Sequence, residues 1–313
     1  MKKQFLFTML AAALTAGVQT GYGNEAPPPP DMRLIARHEA RGIKFSEDKR
    51  TLIKFNNELG MTEYAIPKGV TAIGDKAFEG CTSLKKVEIP EGVTTIGAGA
   101  FIGCTSLDNV EIPEGVTTIG EWAFVDCKSL TSVTIPSSVT TIGDGAFAGC
   151  GYISAAEGHP VFYYENGALI DRGRKTLLHL RADYYSSDVY RIPSNVTTIG
   201  TLAFAGCRRL DYLWIPENVT TIGKGAFLLC TSLTSVTIPS SVTTIGPIAF
   251  SECKSLTSVK ISEGVTTIGD EAFKGCTSLT SVTIPFSVTT IGKGAFNGCP
   301  CEDSVKKQFP EYK

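Results

Sequence analysis

Histidine and tryptophan are scarce. The 313 residues include 3 His and 2 Trp. His38, His159 and His179 are isolated, and no Cys or His group has zinc-ligand spacing, so no metal and no cofactor is expected. A one-sided charge is missing too: 29 Lys and Arg stand against 31 Asp and Glu. That balance lacks the basic footprint of a nucleic-acid binder. No G-x-x-x-x-G-K-[ST] occurs, so GAGAF at 97–101 and GKGAF at 223–227 and 292–296 are not read as phosphate loops. Long apolar runs are absent beyond the N-terminus. Residues 1–23 have Lys2 and Lys3, then an apolar run from Phe5, then small residues, the layout of a signal peptide too short for a comfortable membrane span. Export to a periplasm, an outer surface or the medium is the expectation, with no integral membrane span.

Cysteine and glycine are abundant, and they carry the pattern. Cys81, Cys104, Cys127 and Cys150 are spaced by 23, as are Cys207, Cys230, Cys253, Cys276 and Cys299; the step from Cys150 to Cys207 is 57. Each Cys ends one copy of L-x-x-V-x-I-P-x-x-V-x-x-I-G-x-x-A-F-x-x-C. Nine copies in register mean a solenoid of stacked turns. In the copy ending at Cys253, Leu233, Val236 and Ile238 read as an inward strand, and Pro239 ends it. Val242 and Ile245 form a second extended piece. Gly246 is the corner, and Ala249 and Phe250 suit a short helical or 3₁₀ turn. One copy alone buries too few side chains to offset the entropy of ordering it, so each turn needs its neighbours.

The unit with I-P, I-G, A-F and C resembles the Treponema pallidum-type, or BspA-like, leucine-rich repeat over about residues 61–299. The resemblance implies a curved solenoid, α/β leaning to all-β, with a parallel sheet on the concave side and short strands and turns on the convex side. It also implies a bacterial surface or secreted protein that attaches to host or extracellular-matrix macromolecules.

The 57-residue step holds a hairpin at 168–180, whose Arg174–Leu178 parallels Lys49–Ile53 of an N-terminal hairpin. The organisation expected is a signal peptide at 1–23, a proline-rich spacer at 24–40, a hairpin cap at 41–60 and repeats one to four at 61–150. A hairpin insertion at 151–186, repeats five to nine at 187–300 and a C-terminal cap at 301–313 follow.

The cysteines read as free buried thiols, because ladder neighbours about 4.8 Å apart point in parallel and a disulfide needs convergence. Cys299-Pro-Cys301 is the place for an exception. Asn195 and Asn218 sit in glycosylation sequons read as chance. Eight turns carry Thr-Thr, from Thr94-Thr95 to Thr289-Thr290, read as a soluble β-former.

Outward positions of the first strand are the candidate ligand surface. Most are small and polar. Tyr212 and Trp214 break that pattern, with Arg208 and Arg209 just before them and Arg191 one turn back. Lys86, Glu88 and Glu111 charge the early turns. Aromatic and arginine residues concentrate binding energy, but packing on the 168–180 hairpin or a homodimer contact would also account for the rings. No acid, base or nucleophile stands apart from the repeat, so no enzyme is expected. The favoured function is binding a protein or polymer on the concave face; the alternative is an envelope scaffold acting through self-association.

Overall fold

Each Cys-ended unit forms one coil. Its first strand is clearest at Ser235–Ile238, where Val236 and Ile238 are buried and Ser235 and Thr237 exposed. Pro239 has no N–H for the ladder, and the strand stops before it. The second strand is only two residues long, Thr244–Ile245, with Ile245 buried. The remainder is a run of turns closed by i→i−3 bonds: Ala249 to Gly246, Ser251 to Ile248 and Cys253 to Phe250. This is the expected helical corner, and positive φ at Ile248 and Glu252 stops it from propagating. The computed structural model describes residues 28–181 and 189–310; the expected signal peptide lies outside them.

The turns stack in register, each second strand pairing in parallel with the next, as Thr221–Ile222 does with Thr244–Ile245. A column of phenylalanines runs through the middle. Phe78 and Phe101 stack at 4.8 Å with planes 5° apart, and Phe250 and Phe273 at 5.2 Å and 3°. All ten cysteines are free and buried, including Cys299 and Cys301. Each thiol in a regular seam donates to a phenylalanine carbonyl of the preceding turn, as Cys104 Sγ does to Phe78 O at 3.0 Å. Burial pushes the Cys127 thiol up to about 12.

Glycine of the Ile-Gly pair has a reason other than corner geometry. A Cβ on Gly246 would lie 2.7 Å from the Gly223 carbonyl carbon, so glycine is required by the contact between turns. The threonines also work between turns: Thr94, Thr117 and Thr140 hydroxyls donate to the carbonyls of Thr71, Thr94 and Thr117. The sequon amides are engaged likewise, Asn218 with the Val196 carbonyl and Asn195 with the Tyr163 hydroxyl.

Both hairpins take the place of a turn. Thr51 and Leu52 pair with Ala72 and Ile73, while Thr176 and Leu177 pair with Thr198 and Ile199. The duplication extends to single bonds: Phe55 N–H donates to Ala77 O and Leu180 N–H to Ala203 O. A third strand, Phe162–Glu165, joins the second hairpin through antiparallel pairing with Ala168–Asp171. The core is split there into two clusters, one on either side of the hairpin.

The ends differ from expectation at one point. Residues 24–40 are not spacer throughout, because Met32–Glu39 forms helix α1, capped by Asp31, with Ile35 buried in the first core. Ile35 is joined in holding the segment to the stack by His38 Nδ1 against the Tyr64 hydroxyl at 2.9 Å, the Asp31 N–H donating to Lys68 O, and Glu39 paired with Lys49. At the other end Glu302–Gln308 forms helix α2 and buries Val305.

Candidate functional site

The first strands form short parallel sheets, and their outward side chains make two unlike patches. In the early turns Glu63, Lys86 and Asn109 align in one row, and Ala65 and Glu88 in the next. Lys86 Nζ lies 2.7 Å from Glu88 Oε1. That bond raises the Lys86 ammonium above its ordinary range, helped by the charges of Glu63 and Glu111. This half of the face is acidic.

The fifth and sixth turns are aromatic and cationic, while the turns after them return to Ser, Thr and Lys260. Tyr190–Arg191 pairs with Leu213–Trp214, so Arg191 lies beside Trp214. The Arg191 guanidinium sits 5.6 Å from the Trp214 ring centroid. Tyr212 bridges to Ser235 on the next turn. Tyr212 is 50% exposed, Trp214 43% and Val189 42%. Their strands are anchored from behind, because Tyr190, Leu213 and Ile215 are buried. The rings are therefore held out on a rigid backbone, a geometry that loses little entropy on binding.

Sequence reasoning left open whether the 168–180 hairpin packs on these rings. Its strand Thr176–Leu180 joins the second-strand sheet, on the other side of the coil, and leaves Tyr212 and Trp214 exposed. Arg209 is exposed at the turn entering the strand. Arg208 lines a cleft at the corner of the coil instead.

One part of the face was missed. Tyr152–Ala155 extends the first-strand sheet, pairing with Ser132–Ile135. Tyr152 contacts Tyr164 at 4.6 Å, and the Arg181 guanidinium lies 5.9 Å from its ring centroid. The signal was Ile153 three residues after Cys150, an inward residue without the Leu-x-x-Val pattern around it. Among the described residues, no group of three or more His, Cys, Asp or Glu could hold a metal ion, and no helix is long and apolar enough to cross a membrane.

Residues 53–160 and 184–302 match the BspA type leucine rich repeat region, in six copies. The chain belongs to this family. Its fold is shared by a leucine-rich repeat protein from Eubacterium ventriosum, with TM-score 0.63 and 24% identity over 80% of this chain and 88% of that one. A leucine rich cell surface protein from Faecalibacterium prausnitzii aligns with TM-score 0.58 and 26% identity over 82% and 90%. The pneumococcal vaccine antigen PcpA aligns with TM-score 0.55 and 17% identity over 84% and 79%. No curated protein matches the chain. Membership in this family is consistent with a protein-binding repeat protein.

Proposed function

We propose that this is an exported, non-enzymatic binding protein that recognises an extracellular protein or polymer through its first-strand face. The observation that carries the reading is the exposed cluster of Arg191 and Trp214, set side by side by strand pairing, with Tyr212 bridged to Ser235 and Val189 exposed next to the strand. Aromatic and arginine side chains of this kind dominate binding energy at interfaces. An open row of strands suits an extended partner better than a small molecule, which favours an enclosed pocket. Export draws support from the N-terminal signal-like segment and from similarity to the cell surface protein of F. prausnitzii. Adhesion to matrix or cell-surface macromolecules is the favoured use of the face.

The test is a binding screen of residues 24–313 against extracellular-matrix proteins, with light scattering for mass. Saturable binding of one partner by a monomer supports the reading. Self-association with no partner bound would replace adhesion by an envelope scaffold.

A further inference from the structure

Among the described residues the stack breaks once on its corner side, and the break opens a cleft. In an unbroken seam three N–H groups of one corner donate to carbonyls of the next. Trp122, Phe124 and Asp126 donate to Asp144, Ala146 and Ala148; Leu202, Phe204 and Gly206 donate to Lys224, Ala226 and Leu228. Gly145, Phe147 and Gly149 hold the equivalent places at the break, and among the described residues their N–H groups have no backbone acceptor. The Ala203 carbonyl accepts from Leu180 of the inserted strand instead. The two corners stay joined where Thr201 Oγ1 donates to Asp144 Oδ2 at 2.8 Å. They part at the other end. A Cβ on Gly103 or Gly298 would contact the glycine of the preceding turn, but one on Gly206 would meet nothing within 4 Å. The opening is a cleft of about 480 Å³ that includes Gly149, with Val125, Leu202, Leu228 and Leu229 in its walls and Lys128 and Arg208 among its charged residues.

The last turn shows which chemistry satisfies such a donor. Gly298 is the equivalent of Gly149, and its N–H donates to Glu302 Oε2 at 3.1 Å. The other oxygen of that carboxylate accepts from Lys306 Nζ at 2.7 Å. Val305 of the same helix is buried alongside. A carboxylate held between a backbone N–H and a cation, next to an aliphatic side chain, is what closes this corner. The cleft offers a similar set, the Gly149 N–H, cationic side chains and leucine walls, with one difference: the Asp126 carboxylate already lies there, its Oδ1 3.5 Å from where a Gly149 Cβ would be, so Arg208 has to outweigh it. We propose that the cleft is a second binding site, for a peptide segment of a partner that carries an acidic side chain beside an aliphatic one. The carboxylate accepts from Gly149 N–H and pairs with Arg208. Lys128 contributes less, because Asp126 lies 3.9 Å from it within the same cleft. The site is built by the corners, not by the first strands, and its test is independent of the proposal for that face.

The probe is an acetylated, amidated peptide with the sequence EDSVKKQF, the capping segment 302–309 of this chain, compared with its first-position Glu→Gln form. The protein is residues 24–313, labelled with ²H and ¹⁵N. The expected result is a saturable downfield shift of the Gly149 amide, with the Gln peptide binding about fivefold to tenfold more weakly because a charge-assisted bond is lost. Arg208→Ala, an exposed position, is expected to weaken the Glu peptide by a similar factor. An unmoved Gly149 amide, or equal affinity for the two peptides, overturns the proposal without any protein variant being needed.

Discussion

Leu169 and Ile170 are consecutive residues of one strand, yet they face different cores. Leu169 packs with the turns that precede the hairpin and Ile170 with those that follow, both fully buried. Strand alternation makes one hairpin the floor of one stack and the roof of the other. Truncation should therefore act on opposite halves. Leu169→Ala and Ile170→Ala are each expected to cost about 2–5 kcal/mol. Hydrogen exchange should rise mainly in residues 28–155 for the first and 189–310 for the second. Equal loss of protection on both sides would mean the halves share one core.

The glycines of the repeat separate into two kinds, and the kinds should respond differently. Gly92 has φ +95° and open space around an added Cβ, so Gly92→Ala is expected to cost about 1 kcal/mol. Gly246→Ala pushes a methyl into the Gly223 backbone, and about 3 kcal/mol or more is expected. Denaturant melts of the two variants measure the difference.

His159 makes the junction pH-sensitive. Its Nδ1 accepts from the N–H groups of Val161 and Phe162, and Nε2 donates to the Pro136 carbonyl, which fixes the neutral ring. Burial lowers its pKa below the ordinary 6.5. The unfolded chain therefore takes up the proton first, so the stability is complete above about pH 6.5 and declines as pH falls from there through the folded pKa. His38 shifts the same way through burial. The melting temperature should be lower at pH 5.5 than at pH 7.5, and His159→Asn should narrow that gap. A rise on acidification would contradict the assignment.

The thiols give a simple count. All ten should be inert in the native protein at pH 8 because all are buried; burial also raises the Cys127 thiol, whereas the contact with Cys104 lowers that of Cys81. Ten should titrate after unfolding without reductant, Cys299 and Cys301 among them. A deficit of two would contradict the assignment of ten free thiols.

The repeat was legible because each of its signals has one physical cause. Pro239 stops a strand, Phe250 fills the axis, and the 23-residue step is the length of one coil. Hairpin equivalence was legible too, from Arg174–Leu178 against Lys49–Ile53, down to the Phe55 and Leu180 bonds. Other features depend on which atoms meet between turns. Gly246 looked like a corner residue, and only its distance to Gly223 gives the real constraint. The exposure of Trp214 depended on which side of the coil the hairpin joined, a question of pairing that composition does not decide. Arg208 is adjacent in sequence to the aromatic strand but lines the corner cleft, because it precedes the bend into that strand.

The most direct test of the proposed function is the Tyr212→Ala, Trp214→Ala double variant, measured against the partner found in the matrix screen and in a thermal melt. Both rings are about half exposed, so the melt should not move, while affinity should fall by about tenfold or more. A lowered melting temperature with unchanged affinity would make the rings structural and contradict the assignment of this face to binding.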